Sequence, residues 1–152
     1  MINNSILVIS GPNLNLLGNR EEKYYGNFSL DEIHENIKKI GNSNNFNIEC
    51  KQSNSESEII EWIQNAKNNF KAIVINAGGY THTSVSIRDA LKLFDELVIE
   101  IHMSNIHSRE DFRHKSMISG VSSGIIIGFG DQSYYLAVNA AINKMSGVKN
   151  YG

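Results

Sequence analysis

Five short apolar runs recur along the chain with amphipathic stretches between them, and this alternation constrains the fold more than any other feature. The runs are Ile6–Ile9, Ile48–Lys51 (the weakest), Ala72–Ile75, Leu97–Ile101 and Gly124–Phe129. Between them, apolar residues fall at helical spacing. Leu30, Ile33, Ile37 and Ile40 make one stripe, opened by Ser29-x-x-Glu32, a pattern that caps a helix N-terminus. Ile59, Ile60, Ile63 and Ala66 make a second, opened by Ser55-x-x-Glu58. Val85 to Leu93 and Tyr134 to Ile142 predict two more helices, the last ending near Gly147. A short helical turn is expected around Ser108 to His114. Strands alternating with helices read as a parallel sheet with helices on both faces.

No repeat, linker or composition break divides the chain, so residues 1–152 are expected to form one catalytic domain. Five strands in this length suggest an α/β three-layer sandwich of the flavodoxin-like kind, with a parallel sheet in the order 2-1-3-4-5. A net charge of −2 argues against a broad basic footprint for nucleic acid. No apolar run approaches the length of a membrane span. Cys50 is the only cysteine, so no intrachain disulfide can form, and the N-terminus carries no signal-like stretch. A reducing, cytoplasmic setting is the simplest expectation.

In open α/β sheets ligands bind beyond the carboxyl ends of the strands, where the strand order reverses. The residues just after Ile9, Ile75 and Ile101 are therefore the informative ones. The first loop opens with Gly11-Pro-Asn-Leu-Asn-Leu-Leu-Gly-Asn-Arg20. A phosphate loop would need G-x-x-x-x-G-K-[ST], but Gly11 and Gly18 are too far apart and no lysine follows. Asn13 and Asn15 can donate and accept, and Arg20 can fork onto an anion or a pair of hydroxyls. The polar stretch Asn19 to Gly26 is a candidate mobile lid. After the third run comes Asn76-Ala-Gly-Gly-Tyr-Thr-His-Thr-Ser84. Asn76 and His82 bracket a glycine pair that lets backbone approach a ligand. The helix beginning near Thr83 or Ser84 is expected to point its N-terminus into the same space.

The fourth run carries the most chemistry. Alternation places Leu97, Ile99, Ile101 and Met103 on one face, and Glu100, His102 and Ser104 on the other. A glutamate two residues before a histidine can hold the imidazole and raise its pKa. A polar pair satisfying itself inside a sheet is the bland alternative, but burying Glu100 without purpose would cost several kcal/mol of desolvation. The spacing of His102, His107 and His114 does not match a zinc pattern. Gly128-Phe-Gly-Asp-Gln-Ser133 resembles a dinucleotide fingerprint, but it follows the last strand and reads as a tight strand-to-helix turn.

The set of candidates is a tyrosine, a glutamate-backed histidine, the arginines Arg20, Arg109 and Arg113, and several amides. Arginines and amides suit a carboxylated, hydroxylated small molecule. Tyrosine and histidine suit proton removal and return. A tyrosine base needs its pKa brought from about 10 toward 7, roughly 4 kcal/mol of differential stabilisation, which nearby arginines can supply.

G-P-N-L-N-L-L-G-x-R at Gly11–Arg20, Y-G at Tyr25-Gly26, N-A-G-G-Y-T-H-T-S at Asn76–Ser84 and E-I-H-M-S-N-I-H-S-R-E-x-F-R at Glu100–Arg113 resemble type II 3-dehydroquinate dehydratase. The resemblance runs over nearly the whole chain, with the four motifs in order. It implies the flavodoxin-like fold and the reversible loss of water from 3-dehydroquinate to give 3-dehydroshikimate, in the shikimate pathway, with no cofactor or metal. By position it implies Tyr25 as the base, with Tyr24 beside it, and Asn13 holding a water against the enolate. It implies His102, oriented by Glu100, as the acid, Arg20 on the lid, and Arg109 lowering the tyrosine pKa. Asn76, His82, Ser104 and Arg113 would bind the carboxylate and ring hydroxyls, assisted by backbone amides from Met103 through Asn105 to Ile106. It further implies that Asp89 reaches a neighbouring subunit's site in a homo-dodecamer, a tetramer of trimers. Glu22 stands where the family often has proline, and Ser133 where it often has glycine. Two rivals differ in kind. A lysine Schiff-base dehydratase usually needs a (β/α)8 barrel, for which 152 residues are too few. A flavodoxin-like binding module would not need Glu100, His102, Tyr25 and the arginines together.

Overall fold

The computed structural model describes residues 4–18 and 28–147. The expected lid, with Arg20 and Tyr25, lies outside the described residues. Among those described, the strands β1 (Ser5–Ser10), β2 (Asn47–Gln52), β3 (Ala72–Asn76), β4 (Leu97–His102) and β5 (Gly124–Ile127) form one parallel sheet ordered β2-β1-β3-β4-β5. The helices are α1 (Leu30–Ser43), α2 (Glu56–Ala66), α3 (Val85–Lys92) and α4 (Gln132–Met145).

The period of two along β1 explains the layers. Ile6 and Val8 pack under α1 and α4 with Ile33, Ile37, Tyr134 and Val138. Leu7 and Ile9 pack on the opposite face under α2 and α3 with Ile59, Ile63, Ile87 and Leu91. A strand buried on both faces cannot show apolar–polar alternation, which is why β1 and β3 read as continuous apolar runs. Both serine signals cap as expected. Ser29 Oγ accepts from the Glu32 N–H at 3.2 Å, and Ser55 Oγ from the Glu58 N–H at 3.3 Å.

Four boundaries or turns differ from expectation. β5 stops at Ile127 rather than Phe129, because Gly128 turns to φ 97° and leaves the sheet. α4 begins at Gln132, two residues before Tyr134, directly after Gly130 at φ 60°. The turn expected over Ser108 to His114 is two separate 3-10 turns, Ile106–Ser108 and Asp111–Arg113, split by Arg109 in an extended conformation. The α3 N-terminus is capped by its own residue: Ser84 Oγ accepts from the Ile87 N–H at 2.9 Å. Neither Thr83, Ser84 nor Val85 lines the cleft at the strand ends, where this helix N-terminus is expected to point.

Candidate active site

The carboxyl ends of β1, β3 and β4 open into a cleft of about 120 Å³. Two loops are pressed together to make its floor. A Cβ on Gly11 would sit 2.5 Å from the Ala77 carbonyl oxygen, and the Gly11 N–H donates to the Asn76 carbonyl at 2.8 Å. Gly78, at φ 59°, passes against Pro12, where a Cβ would lie 3.1 Å from the Pro12 carbonyl oxygen. Pro12, Asn13 and Leu14 thus face Gly78 and Gly79 across the cleft. Asn13 adopts φ 70°, and its backbone N–H donates to Asn54 Oδ1 at 3.0 Å.

Asn76, at the end of β3, pairs in register with Ser10 of β1. Its amide is held at both ends. Oδ1 accepts from the Gly78 N–H at 3.2 Å, and Nδ2 donates to the Tyr134 hydroxyl at 3.2 Å. That hydroxyl also lies 2.8 Å from Ser10 Oγ. Tyr134 is fully buried, and burial pushes its pKa up to about 12 against the opposing effect of the Ser10 and Asn76 bonds. It is therefore a neutral phenol that orients Asn76.

Glu100 and His102 lie on one face of β4, as alternation predicts. Glu100 is wholly buried, and its Oε2 is 2.5 Å from His102 Nε2. Ser116 Oγ donates to the same oxygen at 2.9 Å, and Ser119 Oγ donates to Oε1 at 2.5 Å. Burial alone would push the Glu100 pKa up. The bonds from His102, Ser119 and Ser116, with the charge of His102, together outweigh it and hold the carboxyl below its ordinary range. A carboxylate at that position accepts the Nε2 proton and leaves Nδ1 as the nitrogen whose proton can come and go. His82 stacks beside this ring with centroids 6.3 Å apart. Its Nδ1 donates to the Lys115 carbonyl at 2.8 Å. Burial, aided by the charges of His102 and Arg113, pushes the His82 pKa down, so this ring is neutral near pH 7.

The remaining wall follows β4. Met103, Ser104 and Ile106 line the cleft with Arg109 and Arg113. Arg109 Nη1 donates to Ser104 Oγ at 3.3 Å and its Nε is 3.7 Å from Glu110, while Arg113 Nε donates to Glu110 Oε1 at 3.0 Å. Asn105, expected to contribute its backbone amide, and Asp89, expected in a neighbouring subunit's site, do not line this cleft. Asn105 turns away to cap the next 3-10 turn, its Oδ1 accepting from the His107 N–H at 3.1 Å. Asp89 stands exposed on α3 and does not line the cleft of its own chain. Glu100 lies behind His102 rather than in the cleft wall. The sequence reading missed Tyr134, Ser116 and Ser119, and their one local signal is hydroxyl-bearing residues on segments otherwise packed into the core. Among the described residues no three His, Cys, Asp or Glu side chains gather as a metal site requires. A wider hollow of about 680 Å³ lies at the opposite end of the sheet, beside the ion pair of Lys71 and Glu96 at 3.2 Å. Size does not locate the site here; the buried acid–imidazole pair does.

The fold and this cleft define a flavodoxin-like α/β enzyme with a carboxylate-held histidine lining a polar cleft. Residues 4–142 match the family model described as dehydroquinase class II. A 3-dehydroquinate dehydratase of Prochlorococcus marinus subsp. pastoris is 48% identical over 142 residues, 93% of this chain and 97% of that protein. The crystal structure of a type II dehydroquinase from Butyrivibrio crossotus superimposes with a TM-score of 0.88 at 45% identity, covering 90% of this chain and 96% of that one. One from Propionibacterium acnes gives 0.89 at 35% identity, covering 93% and 98%. The chain belongs to the class II dehydroquinase family and is a hydro-lyase.

Proposed function

We propose that this chain dehydrates 3-dehydroquinate to 3-dehydroshikimate, reversibly, through an enolate. The observation that carries the reading is the buried Glu100 carboxylate holding His102 at the mouth of a cleft walled by amides and arginines. Tyr25, as tyrosinate, takes the proton from the carbon beside the ketone. The electron pair moves into the carbonyl, and the enolate oxygen is held through a water on Asn13. The enolate then collapses and expels the hydroxyl, which leaves as water with the Nδ1 proton of His102 in its imidazolium form, returning the ring to the neutral tautomer protonated on Nε2. The Tyr25 proton and the His102 vacancy are restored through solvent, so the cycle is neutral in protons and needs no redox partner. Arg20 orders the lid, and Arg109 favours the tyrosinate. Asn76, His82, Ser104 and Arg113, with backbone amides from Met103 to Ile106, bind the carboxylate and hydroxyls.

The assembly in this reading is a homo-dodecamer of four trimers. Asp89 is exposed on α3 and lies outside its own cleft, which suits a role in a neighbour's site. A cytoplasmic location fits a chain whose one thiol pairs with no second cysteine. The test follows ultraviolet absorbance, because the product is a conjugated enone acid and the substrate is not. Wild-type protein should raise the absorbance on mixing with 3-dehydroquinate, and the Tyr25→Phe variant should barely do so. A rise in both would remove Tyr25 as the base. No rise with folded wild-type protein would refute the reaction.

A further inference from the structure

The segment from Lys115 to Ser122 touches His82 and Glu100, the partner of His102, without lining the cleft. The Lys115 carbonyl accepts from His82 Nδ1 at 2.8 Å. Met117 is clamped from two sides: its N–H donates to the Thr81 carbonyl at 2.7 Å, and its carbonyl accepts from Arg88 Nη1 at 2.9 Å. On either side of Met117, Ser116 and Ser119 both reach Glu100. Ser116 is fixed in the sense of its bond. Its oxygen accepts from the Ile118 N–H at 3.2 Å and from the Ser119 N–H at 3.1 Å, so its lone pairs are occupied and its one proton goes to the carboxylate.

Glu100 is thus met by three donors: His102 Nε2–H, Ser116 O–H and Ser119 O–H. A protonated carboxyl would have to direct its own O–H at one of them, displacing a bond to a wholly buried group. We propose that Ser116 and Ser119 are positioning residues for the reaction: they keep Glu100 an acceptor on both oxygens and so lock His102 in the tautomer with its proton on Nε2. The inference rests on the dehydratase reading for its effect on turnover, but the tautomer itself is independent of any substrate. Ser116 and Ser119 touch no reacting atom. They act through Glu100 on the nitrogen that does.

The test uses the full-length chain carrying ¹⁵N-labelled histidine, with Ser116→Ala, Ser119→Ala and the double exchange, and Ser119→Thr as the conservative control. The His102 signals are assigned by their loss in His102→Gln. In the neutral ring, wild-type protein should show a protonated Nε2 and a bare Nδ1. The double exchange should show both tautomers. In turnover, each lost hydroxyl should lower kcat about tenfold, the scale of one charge-assisted hydrogen bond. KM should stay within about twofold because the cleft wall is untouched. Ser119→Thr, which keeps the hydroxyl, should restore kcat and the single tautomer. If the double exchange unfolds the chain, the single exchanges carry the same comparison. Unchanged tautomer and kcat in folded variants would overturn the inference and leave the serines as mere packing. Wild-type protein that fails to turn over 3-dehydroquinate would sink the dehydratase reading, while the tautomer comparison would still decide the role of the serines.

Discussion

Tyr134→Phe removes one oxygen atom from the centre of the site's support and leaves the ring that packs against Ile33, Ile37 and Val138. The phenol oxygen is 2.8 Å from Ser10 Oγ and 3.2 Å from Asn76 Nδ2, and none of the three residues is more than 4% exposed. Two buried polar groups therefore lose a partner that water cannot replace. A buried donor or acceptor left unsatisfied costs about 1–3 kcal/mol. For a chain of this size that lowers Tm by roughly 2–4 °C per kcal/mol.

The same phenol makes an alkaline signature with a defined sign. Burial raises its folded pKa from 10 to about 12. Its contribution is fully present below pH 10 and is lost as pH rises toward the folded value, because only the unfolded chain can ionise it in that window. The stability gap between wild type and variant should therefore narrow by about 1 kcal/mol between pH 10 and pH 11. Urea denaturation at pH 8, 10 and 11 measures both quantities. KM should also rise several-fold, since Asn76 keeps only its bond to the Gly78 N–H and its amide can swing out of the cleft. Equal midpoints at pH 8, or a gap that stays constant into alkali, would refute the assignment of the phenol as a buried, neutral support for Asn76.

Gly11→Ala should destabilise the chain by about 1–3 kcal/mol, because its Cβ would lie 2.5 Å from the Ala77 carbonyl oxygen, a clash of the new Cβ against backbone that no rotamer relieves. A urea midpoint unchanged from wild type would show that the two loops do not bear on each other. Glu100 is held below its ordinary pKa of 4.5, so its stabilising effect is present above about pH 4.5 and is lost as pH falls through the folded value. The stability advantage of wild type over Glu100→Gln should shrink steadily below that pH. An advantage that persists unchanged at pH 3 would mean the carboxylate is not what holds this part of the fold.

What was legible in the sequence, and what was not, divides along the reach of the interactions. The layer assignment follows from residues two or four apart, so β1, β4 and the faces of Glu100 and His102 could be read directly. Element ends depend on single backbone angles. Gly128 at φ 97° ends β5 two residues early, and no periodicity carries that information. Asn105 is expected to serve the ligand through its backbone amide, and its side chain is taken up by capping the following 3-10 turn. Asp89 could not be placed from one chain, because an exposed residue on α3 has no partner to declare its purpose there. The serines are the most instructive omission. Ser116 and Ser119 lie sixteen and nineteen residues beyond Glu100, so nothing local joins them. A buried carboxylate nevertheless sets a demand that can be counted. Its two oxygens require more donors than one imidazole supplies, and the first hydroxyl-rich stretch after the arginines is Ser116 to Ser123. Asking which segment must satisfy Glu100, rather than which residues must touch a ligand, leads to the strap that holds the acid.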